Sequence, residues 1–419
     1  VTVEHRTHES EWDYAVPDSW PRVRNKQLLA ESLAVSQDGD EELLSVSHIT
    51  GITPRSEKKV TMIEAETLGG YRLVEPGDLV INMMWAWMGA LGVSRYSGIV
   101  SPAYSVYRPR PGVETDTRYF DYLYRSDGYV AEMTRHSRGI HSSRLRIYPN
   151  VFLNLQVPQP PLGVQRAIAD FLDRETARID TLIEQQQRLI DLLRERRDAV
   201  WSCGLADANK EGMPVQLRRV VASIIDGPFG SALTSAHYSD EGARVIRLGN
   251  VGLGEFRDGD AAYITLAYAE ELSAHSVAAG DVVIAGLGDD KMPLGRATVV
   301  PDIGPAIVKA DCYRVRPTDA VSPEYLAWAL SAPQSRAEVM LLARGATRAR
   351  LNTSVVQQVT IPLPPPIVQK ALVRKWREQA SKIDALIAET ERSIELVRER
   401  RSALITAAVT GQIDVREAA

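Results

Sequence analysis

Cysteine is almost absent from this chain of 419 residues. Cys203 and Cys312 stand in unrelated contexts with no C-x-x-C spacing, which excludes a disulfide framework and a cysteine zinc site. Histidine is scarce too: the seven present form no H-x-x-x-H or H-E-x-x-H pair, so no metal site is expected. A G-x-x-x-x-G-K-[ST] phosphate loop is missing, since Gly286-Leu287-Gly288-Asp289-Asp290-Lys291 has glycines at the wrong spacing. So are a G-x-S-x-G nucleophile elbow and the Asn/Asp-Pro-Pro-aromatic tetrapeptide with which amino-methyltransferases hold a flipped base. Long apolar runs are lacking: Leu79 to Val93 is interrupted by Asn82 and falls short of the ~20 residues of a membrane helix. The opening residues Val1 to Ser10 are polar where a secretory leader would be apolar, so a cytoplasmic protein with no membrane partner is expected.

What is present is an ordinary globular composition, 44% hydrophobic and 25% charged, long enough for two to four domains of ~100–200 residues. A net charge of −5 argues on average against nucleic acid, because phosphate contacts are made with lysine and arginine. The distribution reverses that argument. Met133 to Ala169 contains no acidic residue and carries Arg135, Arg138, Arg144, Arg146 and Arg166. Val339 to Arg377 repeats the pattern with Arg344, Arg348, Arg350, Lys370, Arg374, Lys375 and Arg377.

This recurrence belongs to a wider duplication. Pro158-Gln159-Pro160-Pro161-Leu162-Gly163-Val164-Gln165 is answered by Pro362-Leu363-Pro364-Pro365-Pro366-Ile367-Val368-Gln369, an offset of 204 (369 − 165). At the same offset Ile179-Asp180-Thr181-Leu182-Ile183 meets Ile383-Asp384-Ala385-Leu386-Ile387, and Arg194-Glu195-Arg196-Arg197 meets Arg398-Glu399-Arg400-Arg401. Past each proline run the apolar residues take helical spacing: Ile168, Leu172, Ile179, Leu182, Leu189 and Leu193, then Leu372, Trp376, Ile383, Leu386, Ile394 and Val397. Two helices of ~36–40 residues, ~55–60 Å each, are predicted. Their narrow stripes suit a coiled-coil seam, and an antiparallel pair joining the halves is expected over two separate amphipathic helices.

The stretches before the helices read as mixed α/β. Gly77-Asp78-Leu79-Val80-Ile81 and Gly280-Asp281-Val282-Val283-Ile284 look like matching strands, as do those closed by Arg108-Pro109 and Arg316-Pro317. Tyr119 to Tyr129 and Glu324 to Leu342 look helical. The fold class is therefore α/β: two mixed domains joined by two long helices in an antiparallel coiled coil, with an internal pseudo-two-fold repeat. The expected boundaries are 1–157 for the first domain, 158–207 for its proline lead-in and helix, 208–361 for the second domain, and 362–419 for the second lead-in, helix and tail.

Candidate nucleic-acid contacts follow from the basic segments. Arg138-Gly139 and Arg344-Gly345 are each followed by small polar and basic residues, His141, Ser143, Arg144 and Arg146, then Thr347, Arg348 and Arg350. Arginine takes a guanine edge or a phosphate bidentately, and serine and threonine serve either. Gly227, Phe229 and Ser231, within Asp226-Gly227-Pro228-Phe229-Gly230-Ser231, form a second candidate contact loop. Trp85 and Trp87 offer rings for base stacking, although alternating tryptophans more often mark the core face of a strand. Two loose matches to the carboxylate-plus-lysine pattern of metal nucleases, Glu57-Lys58-Lys59 with Asp18 and Asp289-Asp290-Lys291 with Asp281, keep a self-contained enzyme in view.

The duplicated Pro-x-Pro-Pro-x-x-x-Gln, the Ile-Asp-x-Leu-Ile and Arg-Glu-Arg-Arg of each helix, and the closing Thr410-Gly411-Gln412-Ile413-Asp414-Val415 resemble the DNA-specificity subunit of type I restriction-modification systems. Gly227-Pro228-Phe229-Gly230-Ser231 followed by Val245-Ile246-Arg247-Leu248-Gly249-Asn250 is similar to the opening of its target-recognition domain, and the first half lacks a counterpart. The resemblance implies a non-catalytic chain whose two domains read the halves of a split target in double-stranded DNA. It implies that the helices space those domains and hold two modification subunits, with restriction and translocase subunits joining. No cofactor is implied in this chain: S-adenosylmethionine belongs to the modification subunit, ATP and magnesium to the restriction subunit. A duplicated nuclease or methyltransferase, or a coiled-coil adaptor that never touches DNA, are the competing readings.

Overall fold

A computed structural model describes residues 16–57, 67–139, 145–259, 261–289, 292–343 and 350–415. The chain divides into two compact units, Val1–Gln186 with Arg392–Ala419, and Gln187–Glu391. Each contains one mixed α/β domain and a stretch of both long helices.

In the first unit a four-stranded antiparallel sheet has the order Leu29–Ser32, Tyr104–Pro109, Leu79–Asn82, Leu91–Val93. The central strand Leu79–Asn82 is buried along its whole length, which explains its unbroken apolar run. Its side chains alternate between two cores. Leu79 and Ile81 meet Tyr119, Leu123, Tyr129, Leu172 and Val409, while Val80 joins Leu44, Val46, Val74, Val100 and Val106.

The second unit repeats the plan with the order Val221–Ile225, Cys312–Pro317, Val282–Ala285, Ala297–Val299. Val282 and Ile284 pack with Trp201, Tyr325, Trp328 and Trp376, and Val283 and Ala285 pack with Ile246, Val251, Val300 and Val308. The outer layers differ. The first unit has two separate strand pairs, Leu44–Ser47 with Gly51–Pro54 and Arg72–Val74 with Gly98–Val100, where the second builds a five-stranded sheet around Ala243–Ile246.

The repeated motifs have matching structural tasks. Asp78 accepts both guanidinium bonds of Arg108, at 3.0 and 2.9 Å, and Asp281 those of Arg316, at 2.8 and 2.8 Å, tying two strands of each sheet together. Gln165 is buried, accepts from the backbone N–H of Asp116 at 2.9 Å and donates to the carbonyl of Pro160 at 2.8 Å. Gln369 does the same with Ser322 and Pro364, both at 2.9 Å. Asp116 and Ser322 each cap a domain helix, so this glutamine fastens the proline lead-in to the domain it follows. The lead-ins enter short ladders: Gln156–Pro158 pairs with Arg22–Arg24, and Thr360–Leu363 with Met213–Gln216.

The long helices exceed the predicted length. Leu162–Glu211 has 50 residues and Pro366–Val409 has 44, about 75 and 66 Å at 1.5 Å per residue. The first continues because Trp201, Leu205 and Ala208 are fully employed in the second unit's core. The second ends at Gly411, which takes a left-handed φ of 74° while its N–H and that of Gln412 close back on the carbonyls of Ala408 and Ala407.

The helices are antiparallel within each unit. In the second unit Arg197 and Arg194 meet Asp384 and Glu391, at 3.0 and 3.4 Å; in the first, Gln186 meets Ser393 and Asp180 meets Arg401, both at 2.9 Å. Ile168, Leu172, Leu193, Trp376, Ile383 and Ile394 are buried as seam residues, and Ile179, Leu372 and Val397 are half-buried. Leu182, Leu189 and Leu386 depart from expectation and stay exposed. Ile190 and Ala380 are buried instead, because straight helices drift relative to a strict seven-residue repeat.

The domain helices are also more segmented than their patterns suggest. Thr117–Arg125 and Asp127–His136 are separated at Ser126, whose hydroxyl caps the second by accepting from Tyr129. Pro323–Ser331 and Pro333–Leu342 break at Ala332, where the following proline forces an extended backbone.

Candidate nucleic-acid interface

In the first unit the helix Asp127–His136 delivers the chain into the acid-free segment. Arg135, Arg138 and Arg146 are all exposed. Arg138 and Arg146 exchange both backbone hydrogen bonds at 2.9 Å as an antiparallel bridge, which brings these two exposed arginines opposite each other. His141, Ser143 and Arg144 lie outside the described residues. Arg135 donates to Glu132 at 2.8 Å, and His136 lies 3.0 Å from the same carboxylate. Asn150 and Asn154 line a shallow depression with them.

Trp85 and Trp87 are not on the face of a strand. The strand ends at Asn82, whose side chain accepts from the N–H of Met84 and whose carbonyl accepts from Trp85. The chain turns there into a single 3-10 turn, Ala86–Met88. The two indole rings stack 6.4 Å apart at 16°, with Trp85 48% exposed. The Trp87 indole N–H donates to the carbonyl of Met84 at 3.0 Å. The Thr134 hydroxyl, which donates to the carbonyl of Val130 at 2.7 Å, lies 3.4 Å from the carbonyl of Trp87, so the turn sits beside the last turn of the helix that carries Arg135 and His136.

In the second unit two separately predicted elements come together. Gly227 lies so close to the backbone of Lys309 that a Cβ would stand 2.1 Å from its carbonyl carbon, so only glycine permits this path. The loop then turns outward, leaving Phe229 exposed and Ser231 beside it at the surface. The Arg350 guanidinium lies over the Phe229 ring at 5.4 Å and forms an ion pair with Asp311, Nε lying 2.7 Å from Oδ1. Arg344, Thr347 and Arg348 lie outside the described residues.

Asp311 is held in turn. It adopts a left-handed φ of 68°, and its N–H donates to the Asp226 carboxylate, which also accepts from the N–H of Gly227. Burial pushes the Asp226 carboxyl above its ordinary range, against the opposing effect of these two hydrogen bonds. Asp226 thus connects the aromatic loop to the residue that orients Arg350. A guanidinium fixed on one edge and laid on an aromatic ring is suited to bidentate recognition of a base edge or a phosphate.

Arg296 is a further organising residue, absent from the sequence-based candidates. It is buried and donates to the backbone carbonyls of Leu248, Val251, Leu287, Met292 and Pro293, at 2.7 to 3.2 Å. Burial lowers the pKa of its guanidinium. It pins the loop following Val282–Ala285 to the turn Leu248–Asn250. An arginine in a small-residue run carries no signal for such a task, and a left-handed aspartate at 311 carries none either.

Of the carboxylate-plus-lysine matches, Asp281 is committed to Arg316 and to the N–H of Ala278, while Lys58, Lys59, Asp290 and Lys291 lie outside the described residues. Among the described residues no group of three or more acids, histidines and cysteines forms a candidate metal site, and no helix is long and apolar enough to cross a membrane.

No protein-family model matches the chain. Similarity to individual proteins is more informative. The specificity subunit of the type I restriction enzyme MjaVIII from Methanocaldococcus jannaschii is 21% identical over 425 residues, covering 96% of this chain and 94% of that protein. A solved structure described as showing complex assembly and conformational transition of a type I restriction-modification system superposes with a TM-score of 0.66 at 16% identity. It covers 95% of this chain and 99% of the other. In sequence the chain resembles a type I specificity subunit over nearly its whole length, and its fold is similar to that of a chain from a type I restriction-modification system. The StySPI specificity subunit from Salmonella potsdam is 23% identical over 204 residues, 48% of this chain and 44% of its own length.

Proposed function

We propose that this chain is the DNA-specificity subunit of a type I restriction-modification complex, without an active site of its own. The observation that carries the reading is the duplication in structure: two units each place an exposed arginine-bearing segment on the same sheet-and-helix plan. One recognition domain reads one half of a split target, the other domain the second half. Phosphate contacts by the arginines fix position, and base-edge contacts supply sequence.

The helices serve spacing and assembly. Each unit leaves leucines uncovered on its helical stretches, Leu182 and Leu396 in the first, Leu189, Leu192 and Leu386 in the second. Exposed leucines among charged residues fit partner docking. Two modification subunits occupy these surfaces in the proposal, bringing S-adenosylmethionine for adenine methylation, and restriction subunits bring ATP and magnesium.

The test separates this reading from a self-contained enzyme. The purified chain alone, given DNA and methyl donor, is expected to transfer no methyl groups, and the chain copurified with its modification subunit is expected to transfer them at a defined site. Methyl transfer or cleavage by the chain alone contradicts the proposal.

A further inference from the structure

We infer that the stacked pair Trp85 and Trp87 is the base-stacking contact of the first recognition domain, inserted against an unstacked base in its half of the DNA target. The inference rests on the specificity-subunit reading and extends it to a site and a mode of contact.

Three observations converge. Exposing a large ring to water is unfavourable by roughly 25 cal/mol per Å² of apolar surface, yet Trp85 is 48% exposed, with the half-buried Trp87 ring near-parallel to it at 6.4 Å. The turn that bears them lies against the end of the helix carrying Arg135 and His136, with the Thr134 hydroxyl 3.4 Å from the Trp87 carbonyl, and Arg138 follows two residues later. Aromatic rings beside arginines are the combination that holds an unstacked base and its phosphate.

The internal repeat supplies the third. The tryptophan turn follows the central strand Leu79–Asn82, and its counterpart after Val282–Ala285 is the segment beginning Gly286-Leu287. Leu287 forms a backbone bridge with Arg350, the arginine lying on Phe229. Each unit thus sets an aromatic group near the end of its central strand with an arginine-bearing element against it, Arg350 in the second unit and the helix carrying Arg135 in the first. The first half has no Gly-Pro-Phe-Gly-Ser loop, and the turn after its central strand provides the rings instead. A docking surface for a protein partner is the other occupant these rings could take, and the adjoining basic segment favours DNA.

The experiment uses the complex of the chain with its modification subunit and duplexes carrying 2-aminopurine at successive positions of both half-sites. The wild-type complex is expected to raise 2-aminopurine fluorescence at one step of the half-site read by the first domain. Trp85→Ala and Trp87→Ala are expected to remove that signal and weaken specific binding roughly ten-fold or more, leaving the second half-site unchanged. The salt dependence should keep its slope, since no phosphate-binding charge is lost. Trp85→Phe should bind within about two-fold of wild type by retaining a stacking ring, whereas Trp85→Leu, apolar but not aromatic, should behave like alanine.

Unchanged binding and fluorescence in the alanine variants, or wild-type behaviour of Trp85→Leu, overturns the inference. Loss of the modification subunit from the alanine variants identifies a protein-docking face and overturns it as well. A wild-type complex that fails to bind a split target refutes the specificity-subunit reading itself, a separate outcome.

Discussion

Asp226 shows how one side chain can govern a contact surface it does not join. Its carboxylate holds the N–H groups of Gly227 and Asp311, so Phe229 and Arg350 keep their relation through it. Its folded pKa is raised by burial above the ordinary carboxylate value. A carboxyl raised on folding contributes its full stability below the unfolded pKa and loses it as pH climbs through the folded value. Asp226→Asn keeps an acceptor for both N–H groups and cannot ionise. Its stability relative to wild type should therefore rise as pH climbs from about 4, the ordinary carboxylate value, through the raised folded value, read as the difference in unfolding midpoint at each pH. A difference that is constant or shrinks over that range contradicts the burial argument. At this scale the sequence was legible where identity dictates chemistry: the exposure of Arg135, Arg138, Arg146 and Arg350 follows from residue type, and that of Phe229 and Ser231 from the glycine and proline turn that carries them. Asp311 and Arg296 were not legible, because a left-handed backbone and a convergence of five carbonyls are made by distant segments.

The long helices explain why two short motifs recur. Arg197 of the first Arg-Glu-Arg-Arg pairs with Asp384 of the second Ile-Asp-x-Leu-Ile, and Arg401 of the second pairs with Asp180 of the first. Reciprocal pairing between repeats is what an antiparallel duplicated helix pair requires. Such exposed pairs contribute about 0–1 kcal/mol each, so they specify register more than stability. Arg401→Asp should lower unfolding stability by roughly 0.5–1 kcal/mol, and adding Asp180→Arg should restore most of it, a coupling measurable by a double-mutant cycle. Additive losses would show that the pair does not set the register. Helical periodicity revealed the existence and orientation of these elements. It misjudged their length and put Leu182, Leu189 and Leu386 in the seam, because the last turns of Leu162–Glu211 are helical through packing of Trp201 and Leu205, a tertiary cause.

At the scale of the whole molecule, the duplication was the most readable property. The 204-residue offset predicted two alike halves, and both sheets have the same strand order with the same Asp–Arg clamp. In the outer layers the apolar run Val245-Ile246 is readable as a strand and lies in Ala243–Ile246, the middle strand of the five-stranded sheet, whereas the two- and three-residue strands around it are fixed by their neighbours. If the helices act as a ruler, four residues inserted in register near Gln186 and near Thr390 lengthen each by ~6 Å, or ~2 base pairs at 3.4 Å each. The gap between half-sites in the methylated motif should lengthen accordingly, with both half-sites unaltered; an unchanged gap refutes the ruler. The central claim, that two domains of one chain read two parts of one target, is tested most directly by sequencing methylated adenines genome-wide in cells expressing this chain with its modification subunit. Two short half-motifs separated by a fixed unspecified gap are predicted, and a single continuous motif would contradict the account.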